Sequence, residues 1–423
     1  MFDPAVAAIA VFILAYALFV ALPERRTIVA VCAAGLLMLS GVLSLKQAVW
    51  AINWNVMGIF VGTLVIADSF MESRVPAYIA EKIVNVSRST AWAMLWICIL
   101  ASFISAFVEN VATVLIMAPI ALALARKLKL DPTNLLIGIA VSSNLQGTAT
   151  LIGDPPSMLL GGYAKMNFMD FFLYRGRPSI FFAVQIGALC SFAVLYYMFR
   201  CHREKVELVA VEKVRSWVPT AILLLLIVAL ALSSFLDTGF SYMAGEICMA
   251  FAVATAAWER VKNKKSVLKG IQALDWDTTF FLMAIFVIVG SITHTGWIGR
   301  IADSLSGLIG GNIFLGYSLL VFIAMVLSAF VDNVPFLAAM LPVAIEVSAA
   351  LNVSPSLFLF GLLIGASLGG NITPIGASAN IVACGLLKKE GFPVRFGRFA
   401  KIGIPFTVAA VGAAYLFVWF VWK

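Results

Sequence analysis

The chain has 423 residues, 62% of them hydrophobic and only 12% charged, with a formal net charge of +8 at pH 7. No soluble domain of this length can hide so much apolar surface, so the composition requires a polytopic membrane protein embedded in a lipid bilayer. The positive charge does not signal nucleic acid, because Lys and Arg sit in short loops between apolar runs, where they orient membrane spans.

Taken in chain order, full crossings of about 20 residues are expected near 5–22, 27–45, 53–70, 134–163, 178–200, 216–236, 240–258, 277–293, 354–387 and 402–421. The first of these reads as a span and not as a cleaved signal peptide, because its start carries too little charge. Residues 90–127 and 311–350 differ from the crossings. Each holds two apolar arms around a polar centre, FVENV and FVDNV, and reads as a re-entrant hairpin. The long spans 134–163 and 354–387 are interrupted by GTATLIGDPP and GGNITPIG, where Gly, Pro and Thr cannot sustain a regular helix, so both should unwind within the membrane. Residues 74–88 and 296–308 read as amphipathic connectors lying at the interface.

The two interrupted regions are one segment written twice. Residues 104–168 align without a gap on 327–391, Ile104 on Leu327 and Phe168 on Gly391. The shared residues include Asn110 and Asn333, Pro119 and Pro342, Gly147 and Gly370, Thr150 and Thr373, and Gly153 and Gly376. Residues 1–200 therefore form a first repeat and 216–423 a second, joined by the basic linker 201–215. With the hairpins not counted as crossings, Lys46, Lys165, Arg175, Arg177, Arg300 and Lys423 fall on one side. The rest of the 29 Lys and Arg fall on the other. The basic side should be cytoplasmic, with both termini outside, in a cell inner (plasma) membrane. An odd number of crossings separates the copies, so they should be inverted. The expected fold is an all-α polytopic membrane protein with two inverted repeats, about ten transmembrane helices, two re-entrant hairpins and two broken helices.

Polar residues at mid-membrane breaks mark a site, because unsatisfied backbone in lipid is costly unless it lines a cavity. The hairpin tips carry Glu109-Asn110 and Asp332-Asn333. Intramembrane carboxylates are costly and commonly functional, and Glu109 and Asp332 are expected to exchange protons. The simpler reading makes them caps that accept backbone N–H bonds at the start of each second arm. Asn110, Asn144, Thr148 and Thr150 are expected to face Asn333, Asn371, Thr373 and Ser378 across a small polar cavity. With Gly153 and Gly376, which let backbone approach closely, they would bind a small oxygen-bearing solute. Asp154 has no acidic partner, since Ala377 aligns with it, and is either a third coupling carboxylate or a helix cap beside Pro155-Pro156. Asn380 belongs to the second break. Asp68, Glu246 and His294 read as structural or interfacial groups, and Cys384 as a packing thiol. The six cysteines show no CxxC pair and the two histidines lie far apart. No metal site, cofactor or disulfide framework is expected. No GxxxxGK[ST] loop is present, so the chain does not power itself with ATP by that route. A secondary transporter without catalytic chemistry is the expectation.

These motifs also carry a resemblance. SNLQGTATLIGDPPS, preceded by VENVATVLIMAPI, resembles the ion-transporter superfamily, and within it the arsenite efflux permeases (ArsB-like), the P-protein group and CitMHS-like transporters. GGNITPIGASANIVA is similar to sodium/proton antiporters of the same superfamily. The resemblance implies a scaffold holding two transport modules, each with a hairpin and a broken helix, and site roles for Asn110, Thr150, Asn333 and Thr373. The GDPP signature is specific for the clade and not for the substrate. The dicarboxylate carriers of the superfamily carry a Ser-Asn-Thr tip, whereas these tips are Val-Glu-Asn and Val-Asp-Asn, which would repel a di- or tricarboxylate. Export of arsenite and antimonite in exchange for protons is therefore the leading expectation. A sodium/proton antiporter comes second and an organic-anion or chloride carrier third. A soluble ATPase partner, known for some arsenite pumps, and a homodimer are compatible with the chain, but no residue in it points to either.

Overall fold

The computed structural model describes residues 3–204, 213–237, 239–264 and 266–423. Residues 205–212 of the linker, and Lys265 of the charge pattern, lie outside the described residues. The first half runs α1 (Pro4–Ala21), α2 (Arg26–Leu39), α3 (Leu45–Ala51), α4 (Trp54–Glu72), α5 (Val75–Val86), α6 (Thr90–Ser105), α7 (Asn110–Leu128), α8 (Thr133–Gly147) and α9 (Pro155–Ala164). It closes with a two-stranded antiparallel turn, β1 (Leu173–Tyr174) and β2 (Arg177–Pro178), and α10 (Ile180–Phe199). The second half runs α11 (Val218–Ser233), α12 (Met243–Asn263), α13 (Val267–Ala273), α14 (Trp276–His294), α15 (Trp297–Ile309) and α16 (Ile313–Ser328). It continues through α17 (Asn333–Ala350), α18 (Pro355–Gly369), α19 (Ser378–Lys389) and α20 (Phe396–Trp422).

The repeat reaches well beyond the 65 residues legible in the sequence. Moved by the spacing that sets Ile104 on Leu327, α3 through α9 fall on α13 through α19, with ends agreeing to within one or two residues. The packing repeats with the same symmetry. Helix α6 lies on α8 and α16 on α18, while α4 lies on α12 and α14 on α2. The second arm α7 packs on α19 of the other half, as α17 does on α9. The pair α10 and α20 spans the two halves, with Gly187 admitting the backbone of Ala410. Small residues let α4 and α12 approach the same way: a side chain at Gly58 would meet the backbone of Gly245.

Burial sorts these helices by function. Every residue of α8 from Leu135 to Gly147 is buried, and so is every residue of α18 from Ser356 to Gly369. A helix that is apolar all round belongs in a core, so the broken helices form the centre of the molecule. Leu14 on α1, Leu225 on α11, and Leu319 and Phe322 on α16 are exposed apolar groups at its periphery, suited to lipid. Among the described residues, eight helices are long and apolar enough to cross a membrane, or nine if α15 and α16, bent by 120°, form one span.

The tally differs in detail from the sequence reading. Helix α2, at 14 residues, is shorter than the expected span, and α11 has 16. The hairpin arms α7 and α17 meet the length criterion by themselves. Helices α8 and α9, at 15 and 10 residues, are each too short to cross alone. The short helices α3 and α13 and the β1–β2 turn were not anticipated, because seven-residue and two-residue elements carry too little periodicity to read.

Candidate functional site

Each hairpin tip is fixed by its own half's broken helix. Helix α6 ends at Ser105, and after a short turn Glu109 caps α7, its carboxylate accepting the Ala112 N–H at 3.1 Å. Asp332 caps α17 through the Val334 N–H at 3.0 Å. The Asn110 side-chain oxygen accepts from Ser105 Oγ at 2.7 Å, and Asn333 from Ser328 Oγ at 3.4 Å. Thr150 donates to the Ala106 carbonyl and Thr373 to the Ala329 carbonyl, tying each turn to each break. The capping reading of the two carboxylates thus describes their backbone contacts, and it leaves the remaining lone pairs of each available for other partners.

The breaks are equally symmetric. Between α8 and α9 the chain leaves the helix at 148–154, and Asp154 restarts it by accepting the Ser157 N–H at 2.9 Å, with Pro155 and Pro156 in the first turn. Ser157 Oγ donates to the Gly147 carbonyl at 3.2 Å. In the second half Asn380 stands in Ser157's place and donates to the Gly370 carbonyl at 2.9 Å and to the Thr373 carbonyl at 3.0 Å. Ala377, where Asp154 would be, supplies no side-chain cap. Asn144 joins the two breaks: its amide donates to Asn371 Oδ1 at 2.8 Å and to Asn380 Oδ1 at 2.9 Å. Asn144→Ala would leave both buried oxygens short of a donor. Thermal unfolding of the purified protein should show it destabilised by about 2–6 kcal/mol, at ~1–3 per orphaned group.

Beside these breaks lies a polar cavity of about 210 Å³. Of the residues singled out from sequence, Glu109, Asn110, Asn144, Asp154, Asp332, Asn333 and Ser378 line it. Thr148, Thr150, Gly153, Asn371, Thr373 and Gly376 do not. Thr148 bonds back to the Asn144 carbonyl at 3.3 Å, and Asn371 donates to the Val141 carbonyl at 3.2 Å. Thr150 and Thr373 are spent on the hairpin turns, and the two glycines lie against the carbonyls of Gly147 and Gly370, where a side chain would overlap. These six hold the breaks in shape from behind. They do not line the cavity, although Asn371 meets Asn144 directly between the two breaks. Most polar groups at these breaks satisfy the backbone they interrupt.

The wall also holds residues the sequence reading passed over: Arg26 at the start of α2, and Asp275, Asp277, Thr278 and Phe281 at the start of α14. Arg26 forms an ion pair with Asp332, and its guanidinium lies over the Phe281 ring, 5.0 Å from the centroid. Asp275 caps α14 through the Thr278 N–H at 3.0 Å. The acid-rich DWDTT at a span start is the sequence signal for the α14 residues, whereas Arg26, beside Arg25 at a span start, carries the same signature as an orienting charge. The wall thus carries five carboxylates, Glu109, Asp154, Asp275, Asp277 and Asp332, and Arg26 is its only basic residue among the described residues. Cys384 and His294 are not part of the wall; His294 Nε2 sits 3.3 Å from the Gln47 amide.

Comparison with known proteins gives a consistent picture. The family model described as "Citrate transporter" (CitMHS) matches residues 16–352 and 270–423. An uncharacterized transporter of Mycobacterium tuberculosis is 26% identical over 424 residues, covering 98% of each chain. The 46 kDa membrane protein of Mycobacterium leprae is 28% identical over 429 residues, again with 98% of each covered. The P protein of Mus musculus is 25% identical over 465 residues, covering 89% of this chain and 55% of the mouse protein. Among solved structures, the YdaH transporter of Alcanivorax borkumensis superposes with a TM-score of 0.62 at 14% identity, covering 90% of this chain and 86% of that one. That last likeness is one of fold.

Proposed function

The chain belongs to the CitMHS family of transporters, and on that premise we propose that it exports arsenite, and antimonite with it, from the cytoplasm in exchange for protons. The observation that carries this reading is the charge of the cavity. Five carboxylates face one arginine there, so a citrate-like trianion would meet repulsion from several sides at low effective dielectric. Arsenous acid is neutral near pH 7. It needs hydrogen-bond partners and room, which Asn110, Asn144, Asn333 and Ser378 and a volume of about 210 Å³ supply. The carboxylates then accept the countertransported protons, Glu109 and Asp332 at the tips and Asp154 at the first break. The repeated hairpins and broken helices fit a carrier working by alternating access.

The same acidic excess favours a second reading, a sodium/proton antiporter, in which carboxylate and carbonyl oxygens hold a hard cation. Expression in an arsenite-sensitive cell separates the two. Resistance to arsenite without added sodium tolerance is the expected result; sodium tolerance without arsenite resistance would transfer the assignment to the second reading.

The orientation belongs to the same proposal. The basic face is cytoplasmic, so cysteines placed at Lys264 and Lys389 should react with an impermeant thiol reagent only from the cytoplasmic side, and one at Lys165 only from outside. Labelling of the Lys165 position from the cytoplasm would reverse the topology.

A further inference from the structure

The two hairpin tips are alike in sequence but not in surroundings. The Glu109 carboxylate accepts from backbone, whereas Asp332 is ion-paired with Arg26. Among the described residues, no equivalent ion pair stands at the first tip. Phe281, on which Arg26 rests, aligns with Gly58, and there the backbone of Gly245 occupies the space. Arg26 belongs to α2 and Phe281 to α14, which pack together outside the hairpins and broken helices. Asp332 belongs to a hairpin tip. The ion pair therefore bridges two parts of the molecule, and both partners are largely withdrawn from solvent, at 22% and 25% exposed.

A carboxylate carried through a closed, low-dielectric site must be neutralised, either by a proton or by a fixed cation. We propose that Arg26 is the fixed counter-charge of Asp332. It neutralises the second tip on the leg of the cycle that carries substrate and no proton, and it yields Asp332 when a proton arrives. This rests on the proton-exchange reading above and adds a positioning residue to it. The other charged groups facing Arg26 fit the role. Asp275 and Asp277 on α14 and Glu109 on α7 are close enough to act on its charge, and Asp154 on α9 shares the cavity. When Asp332 takes a proton, the guanidinium keeps anionic neighbours on α14 and remains compensated. A single tip then switches between two neutral states, while Glu109 feels the Arg26 charge without an ion pair to it.

The test is substrate exchange without a proton gradient, in proteoliposomes loaded with arsenite and given labelled arsenite outside. Exchange uses only the substrate-carrying leg. Arg26→Gln strands Asp332 and should slow exchange by about tenfold or more. Arg26→Lys keeps the charge and should retain most of it. Removing both charges in Arg26→Gln/Asp332→Asn should restore exchange to within about threefold of the parent, since a neutral pair is again present. Undiminished exchange in Arg26→Gln, or no recovery in the double variant, would overturn the proposal. A purely structural role for Arg26 predicts that second result. If the parent protein exchanges no arsenite, the substrate reading fails, and the proposal is then judged by thermal unfolding alone. There Arg26→Gln should be destabilised and Arg26→Gln/Asp332→Asn should be the more stable of the two; strictly additive losses would reject the pairing.

Discussion

Glu109→Gln should abolish proton-driven transport while leaving the protein folded in the membrane. The glutamine side chain keeps an oxygen that can accept the Ala112 N–H, so the start of α7 stays capped. What disappears is the only ionisable group at the first tip. Asp332→Asn should have the same effect on coupling, with Arg26 still compensated by Asp275 and Asp277. The two carboxylates share one cavity with Asp154, Asp275 and Asp277. Their titration is a property of the group, and the pH profile of transport should be read as macroscopic steps. Rates of gradient-driven uptake should fall by about a hundredfold or more for either variant, the general acid–base scale for losing an essential proton carrier. Full coupling retained in Glu109→Gln/Asp332→Asn would remove both residues from the mechanism.

The second large effect is steric. Gly153 lies against the Gly147 carbonyl and Gly376 against the Gly370 carbonyl, so a methyl group at either position would overlap backbone that cannot swing aside. Gly403 lies as closely against the Asn371 carbonyl. Small-to-large changes in a packed core cost about 1–3 kcal/mol even where side chains can adjust. Here the neighbour is backbone at the junction of a broken helix, so the upper end of that range is expected. Gly153→Ala and Gly376→Ala should each lower the unfolding temperature and reduce transport together. Gly397→Ala, on the same helix as Gly403 but with open space beside it, should leave both unchanged. If Gly153→Ala matched Gly397→Ala in both measurements, the close approach at the first break would not be a structural requirement.

Particular residues show how far the sequence carries. The two breaks and two tips were legible because Gly, Pro, Asn and Thr recur in register inside apolar runs, a pattern with few structural solutions in lipid. The carboxylates, Asn110, Asn144, Asn333 and Ser378 lie on the cavity wall. The roles of Thr150 and Thr373 were not legible. A threonine facing a ligand and one satisfying a hairpin carbonyl have the same sequence signature, and only tertiary contact separates them. Arg26 and Asp277 were missed for a related reason. They sit at helix starts near the apparent membrane boundary, where charge is ordinary, and their place in the site comes from the packing of α2 on α14 across more than 200 residues of sequence. Glu259 is similar: a buried carboxylate in α12, it accepts from Ser69 Oγ at 2.7 Å, a contact its position near a span end did not suggest.

The central claim is that the acidic cavity moves a neutral oxyacid against protons. Uptake into everted membrane vesicles with an imposed proton gradient, acidic inside, tests it most directly. Labelled arsenite should accumulate in vesicles bearing the parent protein, should leak out when the gradient is collapsed, and should fail to accumulate with Glu109→Gln. Vesicles in which arsenite never accumulates, while added sodium dissipates the gradient, would contradict the claim and identify the transported species as a cation.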